Sequence, residues 1–257
     1  MIKMVVCDVD GTLLKRGETE LSTKTIDTIK KLTAKGIVFV VASGRTYTDL
    51  KRLFAAVDKD IVYAAHDGAI TVYKGSVLAK HPIDHKPGFE FMKKVYKKDS
   101  LIPAVYSSYM TYVLRGSGDF GNTLRDLLHG HVTEVDCFDA LKDDYLKIGL
   151  YKKGGAVDGS VLECAKMAGL SLVYEDSSWQ EYVIEGMQKG AAVNYLQKRF
   201  AITKAETMVF GDNTNDIGMF GEADFAYAVE WAPQNIKEKC GYVTTDVTET
   251  LRSIFNV

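Results

Sequence analysis

A chain of 257 residues, 46% hydrophobic and 26% charged, can bury a large core, which excludes a disordered chain and leaves room for two domains. Its formal net charge of −2, with no long run of either sign, argues against nucleic acid or an anionic membrane as the main partner. No apolar stretch approaches the roughly 20 residues that span a bilayer. No signal-peptide pattern precedes the first strand, and the scattered Cys7, Cys137, Cys164 and Cys240 show no CxxC pair, so reduced thiols in the cytoplasm are expected.

Ile2, Met4, Val5, Val6 and Cys7 predict a short buried strand, and DVDGTLL at 8–14 then places Asp8 and Asp10 at its carboxyl end. Open α/β sheets bind ligands at that end. Ser22 caps a helix carrying Ile26, Ile29 and Leu32 on one face, and Gly36 ends it. The continuous apolar run IVFVVA at 37–42 predicts a strand covered on both faces, followed by SGR at 43–45. A helix over about 46–57 and a strand over 61–65 complete a βαβαβ unit, so a parallel sheet with right-handed crossovers is expected.

The rhythm changes near His81. Pro82, His85, Pro87 and Gly88 read as a linker. Beyond it come a helix over 89–97, paired strands over 104–108 and 110–115, helices near 120–129 and 158–168, and strands over 146–151, 172–174 and 179–184. This predicts an inserted α+β domain over 83–185. The α/β pattern resumes with a helix over 190–200 that turns Val193, Leu196 and Phe200 inward, and a buried strand TMVF at 207–210 precedes GDNTND at 211–216. A strand over 223–229, a helix from Pro233 to Lys239 and a strand over 242–244 follow, and Asp246 with Glu249 starts the last helix. The fold class expected is a Rossmann-like, doubly wound parallel sheet, built from 1–82 and 186–257.

Four stations thus lie where one parallel sheet can gather them. Asp8 and Asp10 can divide nucleophilic or metal-holding work from proton transfer. Ser43 and Gly44 offer a hydroxyl and an amide to an anion. Lys189 offers a cation. Asp212, Asn213, Asn215 and Asp216 offer hard oxygen ligands suited to Mg²⁺. Each station alone has an ordinary reading: an Asp-Gly turn, a helix start, a surface lysine, an Asn/Asp-rich loop. Their conjunction, each acidic cluster following an apolar strand, favours chemistry over those readings.

DVDGTLL, ASGR, QKG and GDNTND resemble the four motifs of the haloacid dehalogenase superfamily of phosphohydrolases. The insertion resembles the type IIB cap, and the tail AVEWAPQNIKEKCGYVT is similar to the Cof-type subfamily. The resemblance implies a Mg²⁺-dependent phosphatase of small phosphorylated metabolites, with sugar phosphates the commonest class. It implies Asp8 as the nucleophile that becomes an aspartyl phosphate and Asp10 as acid and then base. Ser43, Gly44, Lys189 and Asn215 would hold phosphate. Asp8, the Asp10 carbonyl and Asp212 would hold the metal, and Asp216 the metal shell or Lys189. Two departures stand out: Asp67-Gly68-Ala69 after His66, where Cof-type relatives usually carry Asn-Gly-Ala, and Glu230-Trp231 where they carry Gly-Asn.

Two other functions compete. A phosphomutase of the phosphomannomutase type shares the cap type and the DxDGT motif, and would show a strict need for a bisphosphate activator. A non-catalytic phosphate-binding regulator is disfavoured by the presence of every catalytic position. Arg115, Arg125, His129 and His131 of the insertion read more simply as solvated surface than as substrate contacts. Oligomeric state and the individual substrate are left open by the sequence.

Overall fold

The computed structural model describes residues 1–99, 101–152 and 158–257. The chain divides into two compact units. One comprises Met1–Gly44, Leu50–Ala79 and Gln188–Val257; the other comprises Arg45–Asp49 and Lys80–Met187.

The chain opens with β1 (Met4–Cys7), α1 (Thr23–Ala34), β2 (Val38–Ala42), α2 (Tyr47–Leu53) and β3 (Val62–Ala65). Ser22 caps α1 as expected, its side chain accepting from the Thr25 amide, and Thr25, Thr28, Ile29 and Leu32 form the buried face. Ile26 is half-buried. The second helix is shorter than predicted: it stops at Leu53, and Ala55–Val57 forms a separate 3₁₀ turn. A hairpin of β4 (Ile70–Tyr73) and β5 (Ser76–Lys80), absent from the sequence reading, then extends the sheet.

The other unit contributes α3 (His85–Asp99), β6 (Ile102–Tyr106), β7 (Thr111–Leu114), α4 (Asp119–Leu127), β8 (Val132–Val135), β9 (Lys147–Tyr151), α5 (Ser160–Met167), β10 (Leu170–Glu175) and β11 (Trp179–Ile184). The linker expected to run from Pro82 through Gly88 is helix from His85 onward. Pro87 sits in the first turn of α3, where its missing N–H would have had no helical partner anyway. The six strands run in the order β10-β11-β9-β6-β7-β8. Alternation along β6 sends Val105 into a core with Phe91, Val95, Ile148 and Tyr182, while Ala104 and Tyr106 join Phe120 and Leu124 in a second cluster.

The return stretch adds α6 (Lys189–Phe200), β12 (Thr207–Gly211), α7 (Ile217–Phe220), β13 (Phe225–Val229), α8 (Gln234–Lys237), β14 (Tyr242–Thr244) and α9 (Val247–Phe255). In α6, Val193 and Leu196 are fully buried and Phe200 half-buried. Pro233 is the N-cap of α8 rather than its first helical residue. The eight-stranded sheet has the order β14-β13-β12-β1-β2-β3-β4-β5, with β14 through β3 parallel and β4 antiparallel to β3. This is the α/β parallel core expected. β1, β3 and β12 are buried at every position, which is why they read as unbroken apolar runs. The chain winds one way from β1 to β2 and returns on the other side at β12. The carboxyl ends of β1 and β12 therefore flank the switch point where such sheets bind ligands. Among the described residues, no helix is long and apolar enough to cross a membrane.

Candidate active site

Asp8 follows β1 directly, and its backbone amide donates to Phe210 O of β12 at 3.0 Å. That bond continues the ladder one step past the strands and fixes where the carboxylate emerges. Asp8, Asp212 and Asp216 are all buried. One oxygen from each of these three lies within 4.8 Å of the others. Lys189, the first residue of α6 and only 1% exposed, puts its Nζ 2.6 Å from Asp8 Oδ1 and 2.7 Å from Asp216 Oδ1. The other oxygen of Asp216 accepts from the backbone amides of Asp212 and Asn213, at 2.9 and 3.0 Å. Asp216 therefore ties the lysine to the turn that carries Asp212.

The glycines of two motifs are required by close approach. A Cβ on Gly190 would stand 2.4 Å from the Gly218 carbonyl, so α6 could not seat Lys189 with any larger residue after it. Gly11 has φ +85°, and a Cβ there would lie 2.4 Å from Asp212 Oδ2. Thr12, buried in the same turn, points its hydroxyl at Asp212 Oδ1, 3.4 Å away. Asp10 differs from Asp8 in being exposed.

Ser43 and Gly44 lie at the end of β2, Ser43 buried, its amide donating to Ala64 O at 3.0 Å. They meet the rest of the site through Asp67, one of the two departures from the Cof-type pattern. The Asp67 amide donates to Ser43 O at 2.9 Å, its Oδ1 accepts from Asn215 Nδ2 at 3.3 Å, and its carboxylate packs against Gly44. Asp67 is 1% exposed and left-handed (φ +56°), a conformation that aspartate tolerates better than most residues. Asn215 is thus engaged with a carboxylate.

The charge balance of the cluster is informative. Three buried carboxylates face one ammonium. Burial pushes the Asp8 carboxyl well above the usual aspartate range, Lys189 pulls it down, and Asp216 and Asp212 push it up again. Burial would lower the Lys189 ammonium, but Asp216, Asp8 and Asp67 outweigh it and hold the proton more tightly than usual. Asp212 is pushed up to about 6, by burial first and Asp216 second. A set of hard oxygen donors short of positive charge fits a divalent cation such as Mg²⁺.

The family model of the haloacid dehalogenase-like hydrolases matches residues 5–256. The chain belongs to that family. It is a phosphohydrolase, as the motifs implied. A 5-amino-6-(5-phospho-D-ribitylamino)uracil phosphatase of Escherichia coli is 26% identical over 231 residues, covering 89% of this chain and 85% of its own. A phosphoglycolate phosphatase of Thermoplasma volcanium is 25% identical over 245 residues, covering 95% and 92%. Among solved structures, a protein from Eubacterium rectale shares the fold of this hydrolase with a TM-score of 0.90 at 25% identity, covering 98% of this chain and 99% of that one.

Proposed function

We propose that this hydrolase removes phosphate from small phosphorylated metabolites, sugar phosphates foremost, through a covalent intermediate on Asp8. The observation that carries the reading is the Lys189 ammonium held between Asp8 and Asp216 at the switch point, with Asp212 beside them. Asp8 attacks phosphorus, the bond to the leaving oxygen breaks, and Asp10 gives that oxygen a proton. Asp10, now a carboxylate, takes a proton from water as the water attacks phosphorus, and the bond to Asp8 breaks to release phosphate. The exposure of Asp10 suits a group that must meet both leaving group and water. Lys189 offsets the charge that gathers as a phosphate dianion nears Asp8, and Ser43, Gly44 and Asn215 orient the phosphoryl oxygens. Asp8, the Asp10 carbonyl and Asp212 would hold Mg²⁺, with Asp216 fixing the shell; the bound ion supplies charge neutralisation between phosphate and carboxylates. The inserted unit is assigned the role of the cap that selects among metabolites.

The test is phosphate release from an aryl phosphate and from a panel of sugar phosphates, phosphoglycolate and a phosphorylated ribityl compound. Release with Mg²⁺ that collapses on chelation, with a clear ranking across the panel, is expected. Full release under chelation, or none from any panel member, contradicts the reading. A sharp requirement for a bisphosphate activator would indicate the mutase instead.

Asp212 yields a second expectation. A carboxyl whose folded pKa is raised is ionised in the fold at a cost, absent below the ordinary aspartate pKa and fully present above about 6. In metal-free buffer at neutral pH, Asp212→Asn should therefore raise the unfolding temperature by about 2–5 °C. The gain should shrink as pH falls through 6, and Mg²⁺-dependent turnover should be lost. A variant less stable than the parent at neutral pH would contradict this.

A further inference from the structure

We infer that Trp231 is a positioning residue for Asp212, an inference that rests on the metal-dependent reading above and extends it beyond the four motifs. The indole Nε1–H donates to Gly11 O at 2.7 Å. That carbonyl belongs to the peptide joining Gly11 to Thr12, and Asp212 is engaged on both sides of it. The Gly11 Cα is pressed so close to Asp212 Oδ2 that a Cβ would stand 2.4 Å away, and the Thr12 hydroxyl points at Oδ1. Holding this carbonyl therefore sets the peptide plane that fixes both neighbours of the carboxylate.

Trp231 lies just past the carboxyl end of β13, two strands from β1, with β12 and its Asp212 turn between them. Its backbone is anchored on either side: Glu230 N donates to Thr244 O at 2.8 Å and Ala232 N to Val229 O at 3.0 Å. A long, stiff side chain on such a base spans β12 and ties the β1 turn to the β13 end. The ring is half-buried, so its N–H is partly withdrawn from water, which strengthens the preference for the carbonyl. Losing one such bond changes an equilibrium that depends on it by about three- to tenfold.

The experiment is calorimetric titration of the full chain with Mg²⁺ alone, parent against Trp231→Phe, alongside thermal unfolding and turnover of an aryl phosphate. Positioning predicts a dissociation constant about three- to tenfold weaker in the variant, with half-saturating Mg²⁺ for turnover rising in parallel. A role confined to packing would lower the unfolding temperature and leave Mg²⁺ affinity unchanged; that result overturns the inference while leaving the phosphatase reading intact. Absence of Mg²⁺ binding and of turnover in the parent would overturn both.

A second measurement needs no folded Trp231 variant. The chain has two tryptophans, Trp179 and Trp231, so 5-fluorotryptophan labelling gives two fluorine resonances, assigned by Trp179→Phe. The Trp231 resonance should shift saturably with Mg²⁺, at the midpoint of activation. A Trp231 resonance unmoved by activating Mg²⁺ also overturns the inference.

Discussion

Replacing Lys189 by methionine should cost both fold and function, and by amounts large enough to separate in one experiment. The lysine is 1% exposed, and its removal leaves Asp8 and Asp216 buried without their shared cation. Breaking a buried pair in this way costs about 3–5 kcal/mol, because the remaining charges are buried without their counter-charge. The pH dependence follows from the same groups. In the parent the Lys189 ammonium is held above its ordinary range, so its contribution is fully present across neutral pH and lost only in strong alkali. In the variant Asp8, which burial pushes up and Lys189 pulls down, loses that pull, so its ionisation costs more, and the cost falls as it takes up a proton. The stability deficit should thus be greatest at neutral pH and shrink in acid. Turnover should fall by about 10²–10³-fold or more, since a charge aimed at the reacting phosphate is gone. Denaturant unfolding at pH 5 and 7.5, with steady-state kinetics, checks both. A variant of parental stability that turns over within tenfold of the parent would refute this role of Lys189.

Asp8→Asn and Asp10→Asn should fail differently. An amide is no useful nucleophile toward phosphorus, so Asp8→Asn should lower turnover by about 10⁴-fold or more for every substrate. Asp10→Asn removes a general acid and base, worth about 10²–10⁴-fold, while its backbone carbonyl is retained. Its loss should depend on the leaving group: severe with an alkyl phosphate, whose oxygen needs a proton, and milder in the first step with a nitrophenyl ester. Equal defects of the two variants across leaving groups would contradict the division of labour.

The parallel core was legible because strands buried on both faces leave unbroken apolar runs, as in Met4–Cys7, Val38–Ala42 and Thr207–Gly211. Acids directly after such runs fall at one edge of one sheet. That is how Asp8, Asp212 and Asp216 come to share a cluster with Lys189. Signals that depend on exposed or turn residues were weaker. The β4–β5 hairpin closes on Lys74-Gly75, both at positive φ, rather than on the Asn-Gly pair that announces such turns, and β5 is largely exposed. β8 interleaves Thr133 and Glu134 with its two valines and is an edge strand too short for a clear period. Pro87 punctuates the sequence like a linker residue although a helix's first turn accommodates it. Trp231 and Gly11 are 220 positions apart, and Asp67 meets Asn215 across 148. No local pattern announces either contact.

The most direct measurement is mass spectrometry of acid-quenched Asp10→Asn protein after mixing with a nitrophenyl phosphate and Mg²⁺. Asp8 should still be phosphorylated, because the good leaving group needs little protonation, and the intermediate should persist because the base that activates water is missing. The expected result is one added phosphoryl group on the peptide containing Asp8, absent from Asp8→Asn treated identically. A phosphoryl group on another residue, or near-parental turnover by either variant, would contradict the assignment of Asp8 as nucleophile and Asp10 as its acid and base.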